Sequence, residues 1–136
     1  KAMNLSVHKH SDSLITKDKI DIYLVDIYGA TLNFYKITQT IFLGGSLIQH
    51  GGQNPLEPAR LGCKIFHGPN IQNFKDVYKL LNSLNISETI KNKSQLIKKI
   101  DISLNKPMRK NINKKKLEIL GKKILDRTFL EINKFL

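Results

Sequence analysis

One cysteine, Cys63, is all the thiol this chain of 136 residues carries. An internal disulfide is therefore excluded, and a reducing compartment fits. Its place in an expected buried strand makes it a small core residue rather than a reactive thiol. No apolar run approaches the roughly 18 residues needed to cross a bilayer, and no signal-peptide pattern opens the chain. No internal repeat is present. An initiator Met is also missing: the sequence begins at Lys1, as a cut edge of something longer or a processed end would. His8 and His10 stand two apart with no carboxylate or cysteine cluster beside them, so no metal site is expected. Arginine is scarce, with 20 of the 23 basic residues being Lys. Acidic residues are scarce in the last third, where residues 91–136 hold 14 Lys and Arg against 4 Asp and Glu, or +10 of the net +12. Such a tail suggests nucleic acid or an anionic membrane surface. Lys, however, comes here with 18 Ile and 12 Asn, all residues with A/T-rich codons, and a bidentate phosphate reader would favour Arg. Base-composition drift ranks above a nucleic-acid partner, and none is expected.

What the chain does have is concentrated. Seven of its eight glycines lie between Gly29 and Gly68, and Pro55, Pro58 and Pro69 fall between Thr40 and Phe74. At 40% apolar and 25% charged residues, the chain has the profile of one globular domain with a real core. Asp21–Asp26 is a β-prone apolar run that reads as a buried parallel strand, ending in a turn at Tyr28-Gly29. Residues 31–39 have helical spacing. Thr40–Leu43 is the second strand, stopped by Gly44-Gly45-Ser46. A second glycine pair, Gly51-Gly52, precedes Asn54-Pro55-Leu56-Glu57, which spells a helix start: Asn as cap, Pro at the first helical position, Glu reaching back to the cap.

That helix runs to Leu61 and stops at Gly62. Cys63–His67 is the third strand, and Asn73, read as a cap, starts a helix whose stripe is Phe74, Val77, Tyr78, Leu80 and Leu81. Glu88–Lys91 suits a fourth short strand. Ser94 caps a helix to about Leu104, with Leu96, Ile97 and Ile100 inward. After Pro107, residues 108–135 read as one long helix with an imperfect apolar stripe and Gly121 as a bend. Strands alternating with helices imply an α/β, Rossmann-like parallel sheet covered on both faces. The expected organisation is a nucleotide-sugar-binding part over 1–91 and basic helices over 92–136 packed on the same domain.

Ligands on such sheets bind beyond the strand carboxyl ends, where the glycine loops lie. Gly44, Gly45, Ser46, Gly51 and Gly52 are the candidate phosphate loop, with the Pro55 helix start beside it offering free amides. Ser46 could add its hydroxyl; no base–orienter pair stands beside it, so a nucleophilic role is not expected. Glu57 has two readings, a capping box or a carboxylate for the hydroxyls of a ribose. Asn54 is a cap or a contact. His50 reads as a loop contact and the better ligand candidate, His67 as strand packing.

The segment Phe42-Leu-Gly-Gly-Ser-Leu…Gly51-Gly-Gln-Asn-Pro-Leu-Glu-Pro-Ala…Gly68-Pro…Asn73-Phe resembles the C-terminal domain of bacterial 3-deoxy-D-manno-octulosonic acid (Kdo) transferases. The resemblance runs from about Ser11 to Leu84 and is most specific over Gly44–Pro58. It implies half of a GT-B glycosyltransferase, two Rossmann-like domains that move Kdo from CMP-Kdo to the lipid A precursor in lipopolysaccharide biosynthesis. It also implies work at the cytoplasmic face of the inner membrane without a metal or other cofactor. The family's CMP-contacting quartet falls on Asn54, Pro55, Leu56 and Glu57. Its second CMP contact, usually Asp-Thr-x-Gly-Glu-Leu, aligns with Asp26-Ile27-Tyr28-Gly29-Ala30-Thr31, so the turn Tyr28, Gly29, Ala30 lacks the glutamate. Gln53 stands for the family's histidine.

The family's Arg-His-Pro loop and N-terminal domain, with its membrane anchor, acceptor surface and catalytic base, align upstream of Lys1. No catalytic residue is expected within this chain, and by itself it is expected to be inactive. Two rivals remain open: a truncated, non-catalytic remnant, and a basic module for anionic lipid or nucleic acid.

Overall fold

The computed structural model describes residues 4–12, 19–106 and 110–135. Two compact units divide the chain, residues 1–34 and 35–136, and each is described by itself.

In the first unit, β1 (Val7–Lys9) pairs in parallel with β2 (Ile22–Leu24). Carboxylates clip the pair at both ends. Asp21 accepts from the Ser6 amide at 3.0 Å and its hydroxyl at 3.2 Å. Asp26 accepts from the Ser11 amide at 3.0 Å and its hydroxyl at 2.6 Å. The Ser11 hydroxyl, first among several causes, holds the Asp26 carboxyl below the usual range. β1 was not expected from the sequence. It is three residues long and turns only His8 inward, too little for a period-two pattern to register. β2 is parallel as expected but not buried: Ile22, Tyr23 and Leu24 are all exposed. Helix α1 (Thr31–Ile37) follows.

The second unit is a three-stranded parallel sheet in the order β3 (Thr40–Leu43), β4 (Lys64–His67), β5 (Ser87–Thr89). Thr40 lies opposite Lys64, Leu43 opposite His67, and Phe66 opposite Glu88. The crossovers are α2 (Leu56–Arg60) and α3 (Lys75–Ser83), the latter entered through a 3-10 turn at Gln72–Phe74. Successive parallel strands need such crossovers. α2 ends as the sequence predicts. Gly62, at φ +83°, adopts the left-handed conformation past the helix end. Its amide reaches Ala59 O at 2.9 Å, and that of Cys63 reaches Pro58 O at 3.0 Å, the bond pair of a Schellman stop. Cys63 then lies fully buried, its thiol against the carbonyls of Tyr35 and Thr38.

The core joins Leu43 and Ile65 of the sheet, Ala59 of α2, Tyr78 and Leu81 of α3, and Ile86. The α3 stripe is read correctly except at Leu80, which is exposed. Two caps differ from expectation. Asn73 sits inside the 3-10 turn rather than capping α3. α4 (Lys93–Leu104) is capped by Asn92, whose side chain accepts from the Gln95 amide at 3.0 Å, and Ser94 falls inside the helix. Ile97, expected inward, is exposed.

α5 (Lys110–Ile132) runs unbroken through Gly121. Its first turns pack through Asn113, whose amide reaches Gly62 O at 3.3 Å, and Lys116, whose ammonium reaches Leu84 O at 2.8 Å. The expected stripe fails farther along. Ile119, Ile124, Leu125, Phe129, Leu130 and Ile132 are exposed, and at 3.6 residues per turn they fall all round the axis. Met108 of that stripe and Pro107 lie outside the described residues. No helix among the described residues is long and apolar enough to cross a membrane.

Leu81→Ala should cost about 3 kcal/mol of stability in urea unfolding, whereas Leu130→Ala should change it by less than about 0.5 kcal/mol. Equal effects would contradict this placement of the core.

Candidate functional site

The glycine turns follow the carboxyl ends of β3 and β4, which lie side by side because the strands are parallel. Ser46 joins them. It is fully buried, its hydroxyl donates to Leu43 O at 2.6 Å and accepts the Gly68 amide at 2.8 Å, and its carbonyl takes the Asn70 amide at 2.9 Å. A hydroxyl has one proton to give, so Ser46 cannot donate to a phosphate while this bond stands. The residue fastens the loop instead of touching the ligand. Gly68 makes the approach possible: a Cβ there would stand 2.1 Å from Ser46 O.

The second glycine pair is fastened from α3. The Gly52 amide reaches Gly45 O at 3.2 Å, and Gly51 O accepts the Asn73 amide at 3.2 Å. Tyr78 Oη donates to Gln53 O at 2.9 Å while its ring packs on His67 at 4.2 Å between centroids. Burial pushes the Tyr78 hydroxyl up to about 12. His67, also fully buried, has Nδ1 2.7 Å from Gly68 O. A carbonyl only accepts, so Nδ1 carries the proton and Nε2 faces Thr89 Oγ1 at 3.4 Å. Burial holds the imidazolium form down, below the ordinary histidine range. Strand packing, as expected, is the role of His67. His50 is exposed in the loop.

Among the described residues, the amides of Gly44, Gly45, Ser46 and Leu47 make no hydrogen bond within the protein. Gly44 is exposed and Gly45 half-buried. The helix start offers less than the sequence promised. Asn54 Oδ1 accepts the Leu56 amide at 3.0 Å, and Pro55 and Pro58 have no N–H. Of the first turn, only the Glu57 amide stays open, and α2 is just five residues long, too short for a strong end dipole. The open amides are those after β3 rather than those of the helix.

Glu57 is exposed and does not close the capping box: no hydrogen bond or ion pair among the described residues occupies its carboxylate. Its charge, after burial itself, raises the Tyr35 hydroxyl above the ordinary range. The turn Tyr28, Gly29, Ala30 belongs to the first unit. Tyr28 is fully exposed, Gly29 has φ +82°, and Ala30 is buried with its carbonyl taking the Asn33 amide at 3.0 Å. No group of three or more His, Cys, Asp or Glu among the described residues is arranged to hold a metal.

The chain has relatives among known proteins. No family model matches the chain. A 3-deoxy-D-manno-octulosonic acid transferase of Haemophilus influenzae is 32% identical over 73 residues, 54% of this chain and 17% of the relative. That of Rickettsia felis is 31% identical over 141 residues, covering all of this chain and 30% of the relative. The crystal structure of the C-terminal CMP-Kdo binding domain of WaaA from Acinetobacter baumannii superposes with a TM-score of 0.65 at 29% identity, over 74% of this chain and 52% of that one. The chain is related to the C-terminal part of the Kdo transferases. Its parallel sheets, crossover helices and long last helix are those of that glycosyltransferase fold. It spans under a third of the length of the two curated Kdo transferases compared.

Two outcomes test this geometry. Gly68→Ala should lower stability by about 3 kcal/mol, since backbone atoms must move; a tolerated alanine would contradict the Ser46 contact. The His67 shift makes a pH prediction. Its depressed value means that below about 6.5 the unfolded chain binds a proton that the folded chain refuses. Stability should therefore fall on acidification from pH 7 towards 5. The His67→Gln variant should show a shallower fall in its urea midpoint, and an unchanged slope would contradict the assignment.

Proposed function

We propose that this chain is the donor-binding part of a Kdo transferase and holds CMP-Kdo for transfer of Kdo to the lipid A precursor. The single observation that carries this is the likeness to a solved CMP-Kdo binding domain at 29% identity. Gly44, Gly45 and the Leu47 amide are assigned to the donor's negative group. Glu57 is assigned to the ribose hydroxyls, because its oxygens are not used by a capping box. Asn54, Pro55 and Leu56 shape the wall beside it, and Gly51 and Gly52 hold the turn. By resemblance alone, the family's second CMP contact aligns with Tyr28-Gly29-Ala30, where Ala30 offers no carboxylate.

The chemistry assigned to this part is binding and charge stabilisation. As the acceptor hydroxyl attacks the anomeric carbon of Kdo, negative charge grows on the departing CMP, and preset amides stabilise it without reorganising. No residue of this chain is given the part of the base, and the 136 residues are assigned donor binding rather than the whole reaction. Work at the cytoplasmic face of the inner membrane is proposed from the resemblance. α5 does not supply the contact as an interfacial helix, since its exposed apolar residues do not share one face.

Calorimetric titration of CMP tests the proposal. Saturable binding is expected, weakened about tenfold in Glu57→Ala through loss of a charged hydrogen bond. No heat at millimolar CMP, with the circular dichroism of a folded chain, would mark a remnant that binds nothing. An unchanged affinity in Glu57→Ala would remove Glu57 from the site.

A further inference from the structure

A concavity lies at the other end of the sheet from the glycine turns. It measures about 540 Å³ and opens where the strands begin, bounded by Thr40 of β3, Lys64 of β4 and Asn85 just before β5. The glycine turns follow the ends of the same parallel strands, so the two places are separated by the strands' length. Residues two apart or directly paired share a sheet face, which puts Thr40, Lys64, Phe66 and Glu88 on one face. α4 and α5 cover that face incompletely. α4 contributes Lys99 and Ser103, four apart on one side of the helix, the bend after it contributes Lys106, and α5 contributes Asn113 and Lys116.

Four lysines thus surround one carboxylate. Glu88 is shared between Lys99 and Lys64, the latter at 3.9 Å. Lys64 also donates to Asn85 O at 3.1 Å, and Lys116 to Leu84 O at 2.8 Å. Among the described residues no carboxylate pairs with Lys106 or Lys116. Codon drift accounts for lysines scattered along α5, but it does not collect four around a hollow that also carries amide and hydroxyl groups. Gathering like charges costs energy unless an anion offsets them. Lys64 shows that cost: burial draws its ammonium below the ordinary lysine range, with Glu88 opposing and Lys99 and Lys116 adding to the effect.

We propose that this cleft is an anion site for a phosphomonoester or diphosphate group, distinct from the donor site. The volume is that of a small-ligand pocket. Ammonium groups meet phosphate as compact point charges, without the planar fork that carboxylates favour. Lys106 and Lys116, unpaired with carboxylates, take the anion's charge. Lys64 and Lys99 exchange part of their contact with Glu88 for it, and Asn113 and Ser103 stand by as neutral partners.

Calorimetric titration of inorganic pyrophosphate into the whole chain tests the site, against a variant with Lys99→Gln and Lys106→Gln. The control is Lys122→Gln with Lys123→Gln, which removes the same charge from the exposed half of α5. Affinity should fall about tenfold in the cleft variant and less than about twofold in the control. Should the double variant lose its fold, Lys106→Gln alone, at an exposed position, gives the same comparison. Glu57→Ala should leave this binding in place, and the cleft variant should leave the Glu57-dependent binding of CMP in place, so failure of the donor assignment and failure of this one are separable. Vesicles containing phosphatidic acid distinguish the source. Retention of the chain on them, lost in the cleft variant, makes the ligand a lipid headgroup, and pyrophosphate binding without retention makes it a soluble phosphate ester. Equal losses in cleft and control variants, or no saturable binding of either probe, would overturn the site.

Discussion

Everything around the glycine turns depends on Ser46 lying under Gly68. One side chain receives the amide of the turn after β4 and gives its proton to the end of β3, so two loops that leave adjacent strands become one surface. The contact is available only because position 68 has no Cβ. Once Ser46 is drawn under the surface, the amides on either side of it keep no partner among the described residues. Asn73 of the 3-10 turn then fixes Gly51, and Tyr78 of α3 fixes Gln53, which sets the wall on which Asn54 and Glu57 stand.

The parts of the fold that could be read from sequence are those where one physical signal dominates. β3 is a short apolar run that stops at Gly44, β4 lies between Gly62 and Gly68, and α2 ends at Gly62, where the backbone bonds demand a left-handed residue. The α3 stripe at spacings of three and four reports the core, apart from Leu80. What escaped depends on tertiary context. β1 exists because two Asp–Ser clips hold three residues in register, and neither clip has a local pattern. Asn92 rather than Ser94 caps α4, since both are good caps and the preceding strand decides where the helix can begin. Along α5, apolar composition was taken for an apolar face, yet positions 119–132 place those residues on every side.

The candidate site departs from its sequence reading in detail. The Asn-Pro-Leu-Glu quartet, which the family resemblance singles out, does not have the physics of an anion-binding helix end. Two prolines remove N–H groups and Asn54 occupies a third. Ser46 looked like a phosphate contact because hydroxyls beside glycines often are, and only the packing shows its proton spent inward. Glu57 moved the other way: without the capping bond its oxygens stay open, which favours the ribose reading. The lysine-lined cleft carries no sequence signal, since its residues come from five separate elements.

Amide-resolved NMR of the chain during addition of CMP tests the central claim most directly. If the turn after β3 receives the nucleotide's negative group, the cross-peaks of Gly44, Gly45 and Leu47 should move first and saturate together, ahead of any near Lys64 and Asn113. Shifts confined to the cleft or scattered over α5, with the glycine turn unmoved, would contradict it.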